Sequence, residues 1–139
     1  MKIHVINGPN LNMLSKRDPN IYGTTGYEEM VKRIKNWCDE NGVDVDFFQS
    51  NHEGDIIDYI QKLPNDDAVV INPGAFAHYS YAIRDALEIF KGIKVEVHIS
   101  NVFKREEFRT HSVTAAVCNG VISGLGIEGY ILAAQFILS

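Results

Sequence analysis

Short apolar runs alternate along the chain with segments of helical periodicity. The runs at 3–7, 43–49, 68–72, 95–99 and 117–123 have the length and β-branched content of strands. After the first, Tyr27, Met30, Val31, Ile34, Trp37 and Cys38 recur at helical spacing, predicting a helix over 27–41. Thr25 with Glu28 reads as a capping box at its start, and Asn41-Gly42 as its stop. Ile56, Ile57, Ile60 and Leu63 predict a second helix ended by Pro64. Ile83, Ala86, Leu87 and Phe90 predict a third ended by Gly92, and residues 129–138 a mostly apolar closing helix. Five βα units in succession pack most naturally as a parallel sheet covered on both faces.

One strand differs. In Val43-Asp44-Val45-Asp46-Phe47 the apolar residues alternate with acids, as in a strand solvated on one side. An edge position suits it, and strand two holds that position in a flavodoxin-like three-layer sandwich with a five-stranded parallel sheet in the order 2-1-3-4-5. Ligands in such sheets bind beyond the carboxyl ends of the strands. Strand one does run into Asn7-Gly8-Pro9-Asn10-Leu11-Asn12, strand three into Asn72-Pro73-Gly74, and strand four into Glu96-Val97-His98-Ile99-Ser100-Asn101. Amides, a histidine and a hydroxyl therefore gather on one rim.

The segment from Asn10 to Thr24 is long for a βα connection and reads as a lid or binding loop without regular structure. It carries Arg17, Asp18, Pro19, Tyr22 and Gly23. A free phenol, with a pKa of about 10, is a poor base at neutral pH, but a guanidinium held beside it favours the phenolate. Bringing a phenol into the neutral range asks for roughly 3–4 kcal/mol of differential interaction, which one or two partly desolvated arginines can supply. The alternative is a solvated loop anchored by a tyrosine. His98 suits an acid: Glu96 lies two residues earlier on the same strand face, where a carboxylate orients the ring and favours the imidazolium. A purely structural Glu–His pair is the competing reading. A metal site from Glu96, His98 and His78 lacks any supporting HExxH or Cys/His motif.

Composition narrows the field. The chain has 139 residues, 45% hydrophobic and 22% charged, which suits one domain with its own core, spanning 1–139. A net charge of −5 without a basic run argues against nucleic acid and anionic membranes as partners. The first residues form too short an apolar run for a signal peptide, and no stretch is long enough to span a membrane. Cys38 and Cys118 suggest neither a disulfide framework nor a zinc site, so a cytoplasmic location is expected. Gly124-Leu125-Gly126-Ile127-Glu128-Gly129 matches the dinucleotide pattern G-x-G-x-x-G. The further strand and acidic residue that pattern requires are not in the ten residues that follow, so close strand–helix packing is expected instead.

Taken together, Asn7-Gly8-Pro9-Asn10-Leu11-Asn12-Met13-Leu14, Arg17-Asp18-Pro19-Asn20-Ile21-Tyr22-Gly23, Asn72-Pro73-Gly74-Ala75-Phe76, Glu96-Val97-His98-Ile99-Ser100-Asn101 and Arg105-Glu106-Glu107-Phe108-Arg109 resemble the type II 3-dehydroquinate dehydratases. The likeness runs in order from residue 3 to about 132. It implies dehydration of 3-dehydroquinate to 3-dehydroshikimate in the shikimate pathway of aromatic amino-acid biosynthesis or in quinate breakdown, with no metal and no cofactor. By resemblance, Tyr22 is the base at C2, Arg17 holds it ionised, Asn12 holds a water against the enolate, and His98, oriented by Glu96, protonates the departing hydroxyl. Asn72 with the Ile99 backbone and Ser100 would hold the substrate carboxylate, His78 and Arg109 the ring hydroxyls. Asp85 would reach a neighbouring subunit's site within a homododecamer built from trimers. Ser15, Ala77, Tyr79 and Thr110 depart from the family pattern and affect lid motion and fine affinity, not the assigned roles. The rival is a flavodoxin-type binder of FMN or a phosphorylated ligand. Such a protein would carry phosphate-cradling Ser, Thr and Gly after strand one, where this chain has Asn-Leu-Asn-Met-Leu.

Overall fold

The computed structural model describes residues 1–139. Five strands, β1 (Lys2–Asn7), β2 (Asp44–Gln49), β3 (Ala68–Asn72), β4 (Lys94–His98) and β5 (Gly120–Ser123), form one parallel sheet in the order β2-β1-β3-β4-β5. The expected order is therefore met, with the acid-alternating strand at an edge. The helices are a single turn α1 (Pro19–Tyr22), then α2 (Tyr27–Glu40), α3 (Glu53–Gln61), α4 (Tyr81–Ile89) and α5 (Glu128–Leu138). None is long and apolar enough to cross a membrane.

Strand alternation sorts the core into two layers. Ile3, Val5, Val70, Val95 and Val97 face α2 and α5, packing on Met30, Ile34, Cys38, Tyr130, Ala133 and Ala134. Ile6, Val69 and Ile71 face α3 and α4, packing on Ile56, Ile60, Ile83 and Leu87. On this second face β4 presents Lys94, Glu96 and His98, all buried, so it carries a polar stripe where the adjacent β3 carries Val69 and Ile71. Such a stripe survives only if each group is partnered. Lys94 donates to the Phe90 carbonyl, and Glu96 and His98 bond to each other.

Three local expectations need correction. Strand β5 begins at Gly120, not 117: the Val117 and Cys118 amides are taken by the turn carbonyls of Thr114 and Ala115, so that stretch is a 3-10 turn without ladder bonds. Thr25 does not cap α2. The N-cap is Gly26, so Thr25 and Glu28 are each one residue out of register for a capping box. The loop from Asn10 to Thr24 is not structureless either. It holds a 3-10 stretch (Leu11–Lys16) whose Leu11 and Leu14 are buried in the core, followed by α1. Asp18 caps α1 by accepting from the Asn20 amide at 2.9 Å, and Pro19 takes the first helical position, where its missing N–H costs nothing.

The glycine-rich segment behaves as close packing requires. A Cβ on Gly129 would lie 3.2 Å from Val97 Cγ1 and 3.3 Å from Ile122 Cγ2, so its absence seats α5 on β4 and β5. At the sheet's carboxyl edge, Gly8 donates to the Asn72 carbonyl at 2.8 Å, and a Cβ there would be 2.2 Å from the Pro73 oxygen. The ends of β1 and β3 can close on each other only because residue 8 is glycine.

Candidate active site

The carboxyl ends of β1, β3 and β4 and the lid enclose a cavity of about 100 Å³, whose walls include Asn10, Arg17, Tyr22, Asn72, His78, His98, Ile99, Ser100, Arg105 and Arg109. Three arginines and two histidines face it, and no carboxylate lines it. A ligand entering here meets positive charge from several sides in a confined, partly desolvated space, where Coulomb terms are stronger than in water.

On the lid side, Arg17 Nη2 donates to the Tyr22 hydroxyl, and the guanidinium carbon lies 3.8 Å from the centre of the phenol ring. Arg105 approaches the same ring from another direction, at 5.0 Å. Burial pushes Arg17 below its ordinary value, Tyr22 pulls it back up, and the neighbouring charges of Arg105 and Arg109 push it further down. An arginine so placed gains from a negative oxygen beside it, which is the condition under which a phenol serves as a base.

On the sheet side, Glu96 is fully buried and receives three hydrogen bonds: His98 Nε2 at 2.8 Å, Ser112 Oγ at 2.8 Å, and Thr114 Oγ1. Burial, the largest influence on this carboxyl, pushes it up, but the three donors together hold it below its ordinary value. Glu96 is therefore a carboxylate that can only accept, so His98 Nε2 carries hydrogen and Nδ1 is the ring nitrogen that Glu96 leaves unengaged. His78 stacks on His98 with centroids 6.3 Å apart and planes at 20°. Its Nδ1 donates to the His111 carbonyl at 2.8 Å, and burial pushes it below its ordinary value, so a neutral ring keeps Nε2 as an acceptor.

A third group is built for an anion. The backbone amides of Ile99 and Ser100, just past β4, donate to no backbone oxygen. Ser100 Oγ accepts from Arg105 Nη1 at 3.2 Å, which leaves its own hydrogen to donate elsewhere. Asn72 accepts the Gly74 amide on Oδ1 at 3.0 Å and so turns its amino group away from that turn. Glu106 steadies the cationic wall from outside, 3.2 Å from Arg109 Nε and 3.8 Å from Arg105 Nε.

Of the residues singled out from the sequence, Arg17, Tyr22, Asn72, His78, His98, Ile99, Ser100 and Arg109 line one cavity, with Glu96 directly behind His98. Two do not. Asn12 is exposed, and its Oδ1 faces Gln49 Nε2 at 3.4 Å, outside the cavity. Asn10 lines the wall instead, in the left-handed conformation at φ 68°, which asparagine tolerates better than most residues. The 3-10 winding of Leu11–Lys16 decides which of the two asparagines points inward, and strand periodicity does not carry that far. Asp85 sits exposed on α4 and takes no part in this chain's own cavity. The sequence reading assigned no role to Arg105, Ser112 or Thr114. Arg105 stood in a recognised motif, but only the fold sets it over Tyr22, and the Ser-x-Thr spacing of 112 and 114 was the one available hint of paired donors.

The Dehydroquinase class II family matches residues 1–138. A 3-dehydroquinate dehydratase of Thermotoga maritima is 64% identical over 137 residues, covering 99% of this chain and 94% of its own. The crystal structure of a type II dehydroquinase from Butyrivibrio crossotus superposes with a TM-score of 0.97 at 56% identity, covering 100% of this chain and 98% of that one. A type II dehydroquinase from Propionibacterium acnes superposes at 0.94 with 42% identity, covering 99% and 97%. By sequence over its whole length and by fold, this chain belongs to the class II dehydroquinase family.

Proposed function

We propose that the chain is a lyase that dehydrates 3-dehydroquinate to 3-dehydroshikimate by trans elimination through an enolate. The observation that carries this reading is the pairing, across one carboxylate-free cavity, of a phenol bonded by Arg17 with a histidine bonded by a buried carboxylate.

In this mechanism Tyr22, as phenolate, takes a proton from C2, next to the ketone. Negative charge moves from the phenol to the enolate oxygen, and Arg17 and Arg105 stabilise the phenolate that starts the step. A water held by Asn10, in the role first given to Asn12, stabilises the enolate in the manner of an oxyanion hole. The enolate then collapses, the C1–O bond breaks, and His98 delivers its proton so that the hydroxyl leaves as water. Glu96 holds the ring and offsets its charge before transfer. The new C1–C2 double bond conjugates with the ketone, and proton exchange with solvent restores Tyr22 and His98.

The substrate carboxylate lies against the Ile99 and Ser100 amides, the Ser100 hydroxyl and Asn72. His78 Nε2 and Arg109 hold ring hydroxyls. The same reading places the chain in the cytoplasm, in the shikimate pathway, as a homododecamer of trimers in which Asp85 of one subunit completes a neighbour's site. The exposure of Asp85 and the unpaired state of Cys38 and Cys118 are consistent with this.

The test is direct: mix the protein with 3-dehydroquinate and follow the ultraviolet absorbance of the conjugated enone. Turnover that survives borohydride is expected, because no lysine imine is invoked. Inactivation by borohydride only in the presence of substrate would replace this mechanism with imine chemistry.

A further inference from the structure

Behind the cavity wall Asn72 continues into a polar chain with Asn7 and Tyr130, two residues to which the proposed reaction gives no part. Asn7 ends β1 and Asn72 ends β3, adjacent in register, and both are buried on the α2/α5 face. Tyr130 reaches them from α5, its side chain completely enclosed. Its hydroxyl donates to Asn7 Oδ1 at 2.6 Å, and Asn72 Nδ2 donates to it at 3.0 Å. Burial pushes the Tyr130 phenol far above its ordinary value, so it keeps its hydrogen throughout the working pH range.

These bonds fix a direction. A phenol has one hydrogen, and Tyr130 gives it to Asn7, so toward Asn72 it can only accept. The Gly74 amide can only donate, and it takes the opposite end of the Asn72 side chain, Oδ1, at 3.0 Å. The Asn72 amide is thus locked between an obligatory acceptor and an obligatory donor. Its second Nδ2 hydrogen is left for the cavity that Asn72 lines. With the amide turned over, the cavity would meet a carbonyl oxygen, which repels a carboxylate.

We infer that Tyr130, without touching substrate, is a positioning and specificity-determining residue: through the Asn7–Tyr130–Asn72 chain it fixes Asn72 as a hydrogen-bond donor toward an anionic group. The inference rests on the proposed reaction and adds a residue of α5 behind its carboxylate pocket.

The experiment compares KM and kcat for 3-dehydroquinate in the parent enzyme, Tyr130→Phe, Asn72→Ala and the double variant. Tyr130→Phe removes the acceptor and is expected to raise KM about tenfold with kcat changed less than about twofold, the pattern of lost uniform binding. In the Asn72→Ala background the same change should leave KM unaltered, because the group it orients is gone. Asn7→Ala keeps the ring in place but frees the Tyr130 hydroxyl to turn, and is expected to raise KM in the same way; this keeps the test open if Tyr130→Phe fails to fold. A parental KM in whichever of these variants folds would overturn the inference. So would an equal rise with and without Asn72, which would mean general loosening of the core. Absence of turnover in the parent would instead reject the proposed reaction.

Discussion

The two halves of the site are held in opposite ways. His98 sits at the end of a central strand, its partner Glu96 fully buried and bonded by three donors from the strand and from the segment at Ser112 and Thr114. Tyr22 sits in a one-turn helix on a lid, half-buried, attached through Arg17 and through a capping aspartate that is itself exposed. Folding alone sets the histidine side, where His98 and Ser112 share Glu96 Oε2 and loss of Thr114 would leave Oε1 without a donor. The tyrosine side is joined to the core through the buried Leu11 and Leu14 of the preceding 3-10 stretch. One wall of the cavity is thus held by buried hydrogen bonds from the sheet, and the other by a short helix whose cap is exposed.

Several changes separate the two halves. The largest effect is expected from Tyr22→Phe, which removes the proposed base while leaving the buried framework untouched. Turnover should fall by about a thousandfold or more, with circular dichroism and melting temperature unchanged. Near-parental rates would end its assignment as the base.

Glu96→Gln should act on both activity and stability. With its partner no longer ionised, His98 loses the carboxylate that orients its ring, and kcat is expected to drop by about a hundredfold. In the folded protein this carboxyl is held below its ordinary value of 4.5, so the stability it supplies is complete above that value and is lost as pH falls through the folded value. The variant should therefore be less stable than the parent near neutrality by about 1–3 kcal/mol. The gap should close as the medium is acidified below the ordinary carboxylate range, measured by denaturant unfolding at several pH values. A gap that stayed constant with pH would mean that Glu96 contributes by packing and not by charge.

Arg105→Gln leaves the lid intact but removes one of the two guanidinium groups near the Tyr22 ring and the donor to Ser100. A drop in kcat/KM of roughly tenfold is expected, in line with one partly desolvated cation–ring contact. Steady-state rates checked against salt concentration would separate a specific contact from a general field, because only the latter fades strongly with screening.

The smallest effect belongs to Asp18→Ala. Loss of the cap should cost about 1 kcal/mol of local lid order. The global melting temperature should hardly move, KM should rise a few-fold, and trypsin should cut sooner at Lys16 and Arg17. Were the melting temperature to fall as far as in Glu96→Gln, the lid would belong to the same cooperative unit as the sheet, and the contrast between the halves would be lost.

Much of this molecule was legible before folding. The periodicities of 2 and 3.6 place the strands and the four long helices, and the acids in 44–46 mark the edge strand, because the hydrophobic effect acts on any pattern whatever its partners. The motifs at the strand ends identify the rim and most of its functional side chains. The sequence was weaker wherever one residue of register mattered. Gly26, not Thr25, begins α2, and Asn10, not Asn12, faces the cavity, because 3-10 turns and left-handed residues break the periodicities on which side-chain direction is read.

Composition and order along the chain thus determined the architecture, the location of the chemistry and the family resemblance. Tertiary structure alone decided which groups meet across sequence distance: Arg105 over Tyr22, Ser112 and Thr114 on Glu96, and Tyr130 joining Asn7 to Asn72 from 123 and 58 residues away. Apolar burial is non-directional, so a one-dimensional pattern can encode it. Hydrogen bonds have direction and short reach, so their pairing exists only once the chain has closed on itself.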